Sequence, residues 1–262
     1  MVSRVDESAP LVVGANRDER LERPATAITV LQDSRPRILG GRDELAGGTW
    51  LAVNDRGLVA ALTNRPSPGG RDPSKRSRGE LPLALVQHTK SEDAVEDFFG
   101  RFDPALYNPS SILVGDRRSL FSIDMTGEKP AVVELPPGLH VLENLPLGSP
   151  SAKVDNVRRL MGHVDQRGPN AEALLDRLRV VLGDHSLPPL PEGAATGASP
   201  QENFERAPET LAACVHTESY GTRSSTIVRV PASEDADMSV SVAHGHPCTA
   251  QYVDATSLWK TD

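Results

Sequence analysis

Residues 11–63 carry four short β-leaning runs, at 11–14, 27–32, 49–53 and 58–63, separated by Gly, Asp and Asn turns. Asn54-Asp55-Arg56-Gly57 reads as a hairpin turn between the last two. A meander of this kind builds an antiparallel sheet, because parallel neighbours need a long crossover between them. Two helices are expected next, at 80–89 and from Ser91, a good N-cap, to about residue 99. Strands return at 111–114, 120–123, 131–135 and 140–142. Helical spacing follows at 153–164 and 170–182, where Leu174, Leu175, Leu178, Val181 and Leu182 share a face. Residues 222–230 and 238–243 are the closing strands, with 231–237 as their turn.

Strands, helices, strands, helices, strands predict the α+β class: an αββα sandwich of two antiparallel sheets with helices outside. The stretch 186–208 is rich in Pro, Gly and Ala and is expected as a surface loop, because the closing strands still need the earlier sheet. One domain over 1–262 is therefore expected. Hydrophobic residues at 38% and charged residues at 24% suit a packed core. The net charge of -8 argues against nucleic acid or an anionic membrane as partner. No apolar run approaches the roughly 20 residues that cross a bilayer. Residues 1–7 contain no apolar signal core, and Cys214 and Cys248 alone make no disulfide framework. A cytoplasmic protein is the expectation. Oligomeric state leaves no sign in the sequence.

The chemistry concentrates after the first run. If that strand continues, alternation sends Asn16 and Asp18 to one face and Arg17 and Glu19 to the other. The plain reading is a strand end with turn hydrogen bonds. The other is an amide and a carboxylate presented to a cleft. Gly40-Gly41-Arg42-Asp43 and Gly47-Gly48-Thr49-Trp50 set four glycines around an Arg-Asp pair and a Trp, either as two turns or as a site loop. Asn64 opens a loop holding Arg65, Arg71, Lys75, Arg76 and Arg78 against one acid, Asp72. Such a loop suits a carboxylate or phosphate, or is merely solvated; Arg78 is the base favoured for a site. Three possible metal ligands fall within His244-Gly245-His246-Pro247-Cys248, but no second cluster has zinc-like spacing, so no metal site and no cofactor is expected. Ser224 and Ser225 lack a nucleophile elbow, and no phosphate-binding glycine loop is present.

Ala-Asn16-Arg17-Asp18-Glu19, Gly-Gly-Arg42-Asp43, Gly-Gly-Thr49-Trp50, Thr-Asn64-Arg65, Ser-Arg78-Gly-Glu-Leu and Tyr220-Gly-Thr-Arg223-Ser-Ser-Thr226 occur in that order. In combination they resemble the NRDE family, also called the transport and Golgi organisation 2-like family, which is grouped with the N-terminal nucleophile (Ntn) hydrolases. The resemblance implies the same αββα sandwich. It also implies a reaction in which the first residue supplies both the nucleophile and, through its α-amine, the base. An α-amine titrates near 8, close to working pH. The resemblance makes Asn16, Arg17, Asp18, Asn64 and Asn144 candidate catalytic groups. Arg17 and Asp18 would orient the amine, and Asn64 and Asn144 would hold the oxyanion. Asn144, in Asn-Leu-Pro146, looks like the oxyanion asparagine of the choloylglycine and penicillin V acylase branch, a role worth about 3 kcal/mol. Arg42, Trp50, Arg78 and Arg223 are the candidate substrate contacts, for a small and anionic molecule.

The family begins Met-Cys, whereas this sequence begins Met1-Val2-Ser3. The expectation is that the recorded start lies inside a longer frame, leaving 2–5 as part of a first strand; the other explanation is lost catalysis. As written, the chain is expected to be inactive. The alternative function is a non-catalytic carrier for an anionic hydrophobic molecule such as haem or an acyl-lipid. For haem, His244, His246 and Cys248 are the local ligand candidates.

Overall fold

The computed structural model describes residues 1–67, 69–162, 170–188 and 208–260. Strands β1 (Val2–Asp6) and β2 (Ala9–Arg20) lead into β3 (Ala25–Gln32), β4 (Ile38–Asp43), β5 (Leu51–Asn54) and β6 (Val59–Asn64). Helices α1 (Glu80–Leu85) and α2 (Ser91–Arg101) follow, then β7 (Ser110–Gly115), β8 (Leu120–Asp124), β9 (Ala131–Glu134) and the short β10 (Gly138–Leu139). Helices α3 (Ala152–Met161) and α4 (Ala171–Leu182) precede β11 (Tyr220–Val230), β12 (Ser239–His244) and β13 (Tyr252–Asp254). The strands form two antiparallel sheets, one of seven in the order β3-β4-β5-β6-β7-β8-β9 and one of six in the order β10-β1-β2-β11-β12-β13.

Period-two alternation builds three apolar layers. Leu11 and Val13 of β2 and Val228 and Val230 of β11 face Leu39, Leu51, Val53 and Val59 between the sheets. Their sequence neighbours Val12 and Ile227 face the opposite way, onto Leu174, Leu175, Leu178 and Val181 of α4. On the other side Ile38, Ala52, Ala60, Ile112 and Val114 pack against Leu81 and Leu85 of α1 and Phe98 of α2. Each fully buried aliphatic side chain stabilises the fold by about 1.5–3 kcal/mol. A one-residue slip of β2 would exchange two of these layers, so its register is strongly specified.

The expected sandwich is therefore observed, with four departures. The 140–142 run is not a strand: β10 pairs Leu139 with Val2, and beyond it the His140 N–H donates to the Met1 carbonyl at 2.8 Å. Ser91 does not cap α2. Its N–H and hydroxyl bond the Asp116 carboxylate at 2.7 and 2.9 Å, which sets a negative charge at the helix N-terminus. Strand β4 runs through Gly40-Gly41, which the sequence reads as a turn or a site loop. A Cβ on Gly41 would lie 2.1 Å from the Trp50 ring, so the glycine lets the indole lie flat against the strand. Residues 252–254 add an edge strand that was not expected. The 189–207 part of the expected surface loop, and residues 163–164 of the expected helix, lie outside the described residues.

Candidate functional site

A cavity of about 800 Å³ is lined by the second half of β2, the end of β6, the 70–79 loop, residues 139–144, and parts of α3 and α4. Asn16, Arg17, Asp18, Trp50, Asn64, Arg78 and Asn144 all border it. The strand does continue through the polar run: Asn16 pairs with Ser225, Arg17 with Ser224 and Asp18 with Thr222. Alternation then divides the run. Asn16 and Asp18 turn to the helical layer, where Asn16 Nδ2 donates to the carbonyls of Leu182 at 2.9 Å and Ala213 at 2.8 Å. Its Oδ1 is buried and has no partner among the described residues. Asp18 meets Lys153 Nζ at 3.4 Å and accepts from the Thr222 hydroxyl at 2.5 Å.

Arg17 and Glu19 turn between the sheets. Arg17 is buried, lies over the Trp50 ring at 4.7 Å, and approaches Asp43 at 3.5 Å and Glu19 at 4.0 Å. Burial pulls its pKa down, against the opposing pull of Glu19 and Asp43. Arg23 completes the group with a bidentate pair to Asp43, 2.7 and 3.1 Å. Arg17 is thus engaged in a charge network.

The far wall is set by two backbone contacts. The Thr63 hydroxyl donates to the Glu143 carbonyl at 2.9 Å, and Asn64 and Asn144 each follow by one residue. The Thr49 N–H donates to the Gly79 carbonyl at 3.0 Å, and a Cβ on Gly48 would lie 2.7 Å from the Gly79 backbone. The Gly47-Gly48-Thr49 motif is therefore a close backbone approach that fixes the residue beside Gly79, Arg78. Arg78 donates to the Pro109 carbonyl at 3.0 Å and makes no ion pair among the described residues. Burial, and then Arg71, lower its pKa to about 10. It still carries its positive charge at neutral pH.

Met1 also borders the cavity, at the head of β1. Its nitrogen donates to the His140 carbonyl at 2.7 Å. Burial lowers the pKa of an amine at this place to about 5. Continuing the register that pairs Val2 with Val12 sets residue 1 opposite Val13, three residues from Asn16.

This geometry sits in a chain with recognisable relatives. The family model of Transport and Golgi organisation 2 matches residues 2–240. The chain belongs to that family. The Transport and Golgi organization protein 2 homolog of Bos taurus is 31% identical over 234 residues, 85% of this chain and 82% of the relative. Among solved structures, a variant of conjugated bile acid hydrolase from Clostridium perfringens superposes with a TM-score of 0.50 at 14% identity, covering 96% of this chain and 91% of that one. Penicillin V acylase from Agrobacterium tumefaciens gives 0.50 at 10% identity, covering 94% and 82%. At such identities the likeness shows the fold, that of the Ntn hydrolases.

Two expected contacts fall outside the cavity of this Transport and Golgi organisation 2 chain. Arg42 alternates with Asp43 on β4, so it points away while Asp43 points in; its side chain is 48% exposed and meets Glu44 at 4.0 Å. Arg223 sits at an irregularity in the β2–β11 register, and its guanidinium donates to the carbonyls of Arg20, at 3.3 Å, and Arg23. It braces the end of β2 and does not border the cavity. In the basic loop, Arg65 pairs with Asp124 at 3.3 Å, Arg76 with Glu80 at 2.8 Å, and Lys75 donates to the Tyr107 carbonyl at 3.1 Å; Arg71 joins Arg78 at the cavity. The sequence placed Asp43 only as the partner of Arg42 in a glycine-flanked pair, and did not mark Arg23, Lys153 or Thr222 as site residues. Strand register selects them, and the Gly40-Gly41 pair concealed the register of β4. No His or Cys at 185, 214, 216, 246 or 248 borders the cavity. Among the described residues no helix is long and apolar enough to cross a membrane.

Proposed function

We propose that the cavity is the substrate cleft of an amide hydrolase of the Ntn kind, acting on a small non-peptide amide with an anionic group. The observation that carries this reading is the head of β1. Met1 borders the same cavity as Arg17, Asp18, Asn64 and Asn144. An amine held there, with its pKa near 5, is neutral at pH 7 and has a lone pair free to accept a proton. Asn64 and Asn144 are the candidate oxyanion donors and Arg78 the anion anchor. Asn16 serves by position: its Nδ2 is used by two carbonyls, and its Oδ1 remains an acceptor for a substrate N–H or the amine. Arg17 and Asp18 act through the networks that hold β2.

The thioether of Met1 is not a nucleophile, so the reaction requires a Cys, Ser or Thr at residue 1 or ahead of it in line with β1. The test is a series of chains whose first residue is a processed Cys, placed at position 1 or one to three residues before it. One member is expected to hydrolyse a panel of acyl-amide substrates and to lose activity on thiol alkylation. No turnover in any member, with the fold intact, overturns the reading.

A second reading is favoured by Arg78, a half-buried cation without an ion-pair partner among the described residues, in a cavity that apolar Leu139, Val157 and Leu178 also line. A carrier of an anionic hydrophobic molecule such as an acyl-lipid or haem would use this pairing without a nucleophile. The chain as given would then bind a fluorescent fatty acid or haemin, and Arg78→Ala would weaken the complex.

A further inference from the structure

Away from the cavity, five ligand-type side chains converge from three segments of the chain. His185 follows α4, Cys214 and His216 precede β11, and His246 and Cys248 follow β12. Backbone contacts bring the segments together. Cys214 N–H donates to the Asp184 carbonyl at 2.8 Å, and His216 forms a bridge with Gly221. A Cβ on Gly183 would lie 3.4 Å from Cys248 Cα.

His216 Nε2 is the centre of the group, 3.3 Å from Cys214 Sγ and 3.2 Å from Cys248 Sγ. One ring nitrogen carries either one hydrogen or one lone pair, so neither tautomer serves both sulfurs equally. A cation serves both. In a tetrahedral zinc site, bonds of about 2.3 Å to sulfur and 2.0–2.1 Å to nitrogen set neighbouring S and N ligands about 3.5 Å apart. The ligand atoms of His185, His216 and Cys248 lie within 4.8 Å of one another, and so do those of Cys214, His216 and His246; His216 belongs to both groups. The His185 and His216 ring centroids are 5.8 Å apart and edge-on. Two imidazoles on one tetrahedral ion stand about 5 Å apart by the same bond lengths. His246 stacks on His216 with ring centroids 3.9 Å apart, a geometry that supports that ring, so the fourth ligand is assigned to the edge-on His185.

We propose that Cys214, His216, Cys248 and His185 bind one zinc-class divalent cation as a closed, structural site, with His246 positioning the His216 ring. On binding, two S–H bonds release their protons to solvent as two metal–thiolate bonds form, and the imidazoles enter neutral. The site is separate from the cavity but not remote from it. Leu182 and Ala213, whose carbonyls hold Asn16 Nδ2, belong to two of the segments that the ion would join.

The experiment uses the untagged, reduced, metal-free chain titrated with Co²⁺. Saturation at one equivalent is expected, with tetrahedral ligand-field bands and a thiolate-to-cobalt charge-transfer band that zinc abolishes. Zinc is also expected to raise the Tm of the same sample. Cys214→Ser and Cys248→Ser each reduce the charge-transfer band, His185→Ala and His216→Ala weaken binding, and His246→Ala retains the tetrahedral spectrum. Absence of any thiolate band in the reduced wild-type chain overturns the site, whatever the variants do. An octahedral spectrum, or mass evidence of a Cys214–Cys248 disulfide that forms while no metal binds, does so too. Loss in His246→Ala with retention in His185→Ala overturns the ligand set.

Discussion

The two sheets differ in how the chain makes them. In the seven-stranded sheet every strand pairs with its neighbour in sequence, β3 through β9. In the six-stranded sheet β2 pairs with β11 and β1 with β10, joining residues about 200 and 135 positions apart. The difference extends to the side chains that fasten each sheet. The meander is fastened near its turns by shorter-range groups, Asn54 after β5 and Asp116 after β7. The other is fastened across long separations: Asn16 reaches residues 182 and 213, and Asp18 reaches 153 and 222. The cleft borders the second kind of sheet, so its geometry depends on contacts that form only when the whole chain has folded.

The largest effect is expected within the meander. Asn54 is fully buried in the hairpin turn before β6. Its Nδ2 donates to the carbonyls of Val86 at 2.8 Å and His88 at 2.7 Å, and its Oδ1 accepts from the N–H groups of Arg56 and Leu58 at 3.0 Å each. Asn54→Ala strands four backbone groups at once and is expected to cost about 4 kcal/mol. The midpoint of urea unfolding measures it. A loss no greater than that of Asn16→Ala would break the contrast between the sheets.

Asn16→Ala is expected to cost about 2 kcal/mol, since it strands two carbonyls and leaves the strand pairing in place. Its signature lies in where the protein loosens. Hydrogen exchange is expected to rise at 182–184 and 213–215, which the amide ties to β2, and to stay unchanged in β5 and β6. A uniform rise over both sheets would mean that the tie is not local.

These two amides also show what was legible. The Asn54 turn was visible because its signal is local: two apolar runs and four turn residues. Asn16 was visible as a polar residue after a strand, yet its partners were not, because nothing in the sequence joins 16 to 213. The sandwich could be read because period-two runs and helical spacing recur in order. Strand β4 was missed because Gly40-Gly41 serves tertiary packing, with Gly41 under the Trp50 ring. That miss led to Arg42 in place of Asp43. The Cys/His group was passed over for the same reason, since its members lie at 185, 214–216 and 246–248 and only the last pair shares a motif.

Arg78 sharpens the contrast at the cleft. If the cavity takes an anion, Arg78→Ala lowers affinity for a fluorescent fatty acid about tenfold, one charge-assisted contact. The unfolding midpoint is expected to move little, because Arg78 gives the fold one bond to the Pro109 carbonyl. Equal affinity in variant and parent would remove Arg78 from the ligand's path.

The smallest effect separates the two kinds of fastening by pH. Asp43, at the end of β4, joins the sheets at the cleft through Arg23 and Arg17. Burial alone would raise its pKa. The hydrogen bonds from Arg23 and the Ala46 N–H, with the charges of Arg23 and Arg17, outweigh burial and hold it below the ordinary value. A carboxylate whose folded pKa is depressed contributes its full stability above its unfolded pKa, about 3.9, and loses it as the pH falls through the folded value. Stability should therefore fall on acidification below about pH 4. Asp43→Asn should flatten that acid limb while remaining less stable than the parent at pH 7. Asn54→Ala changes no titrating group, so its midpoints should run parallel to the parent's from pH 7 down to about 3. Parallel curves for both variants would show that the charged network at the cleft does not set the acid response, and that the two sheets are fastened alike.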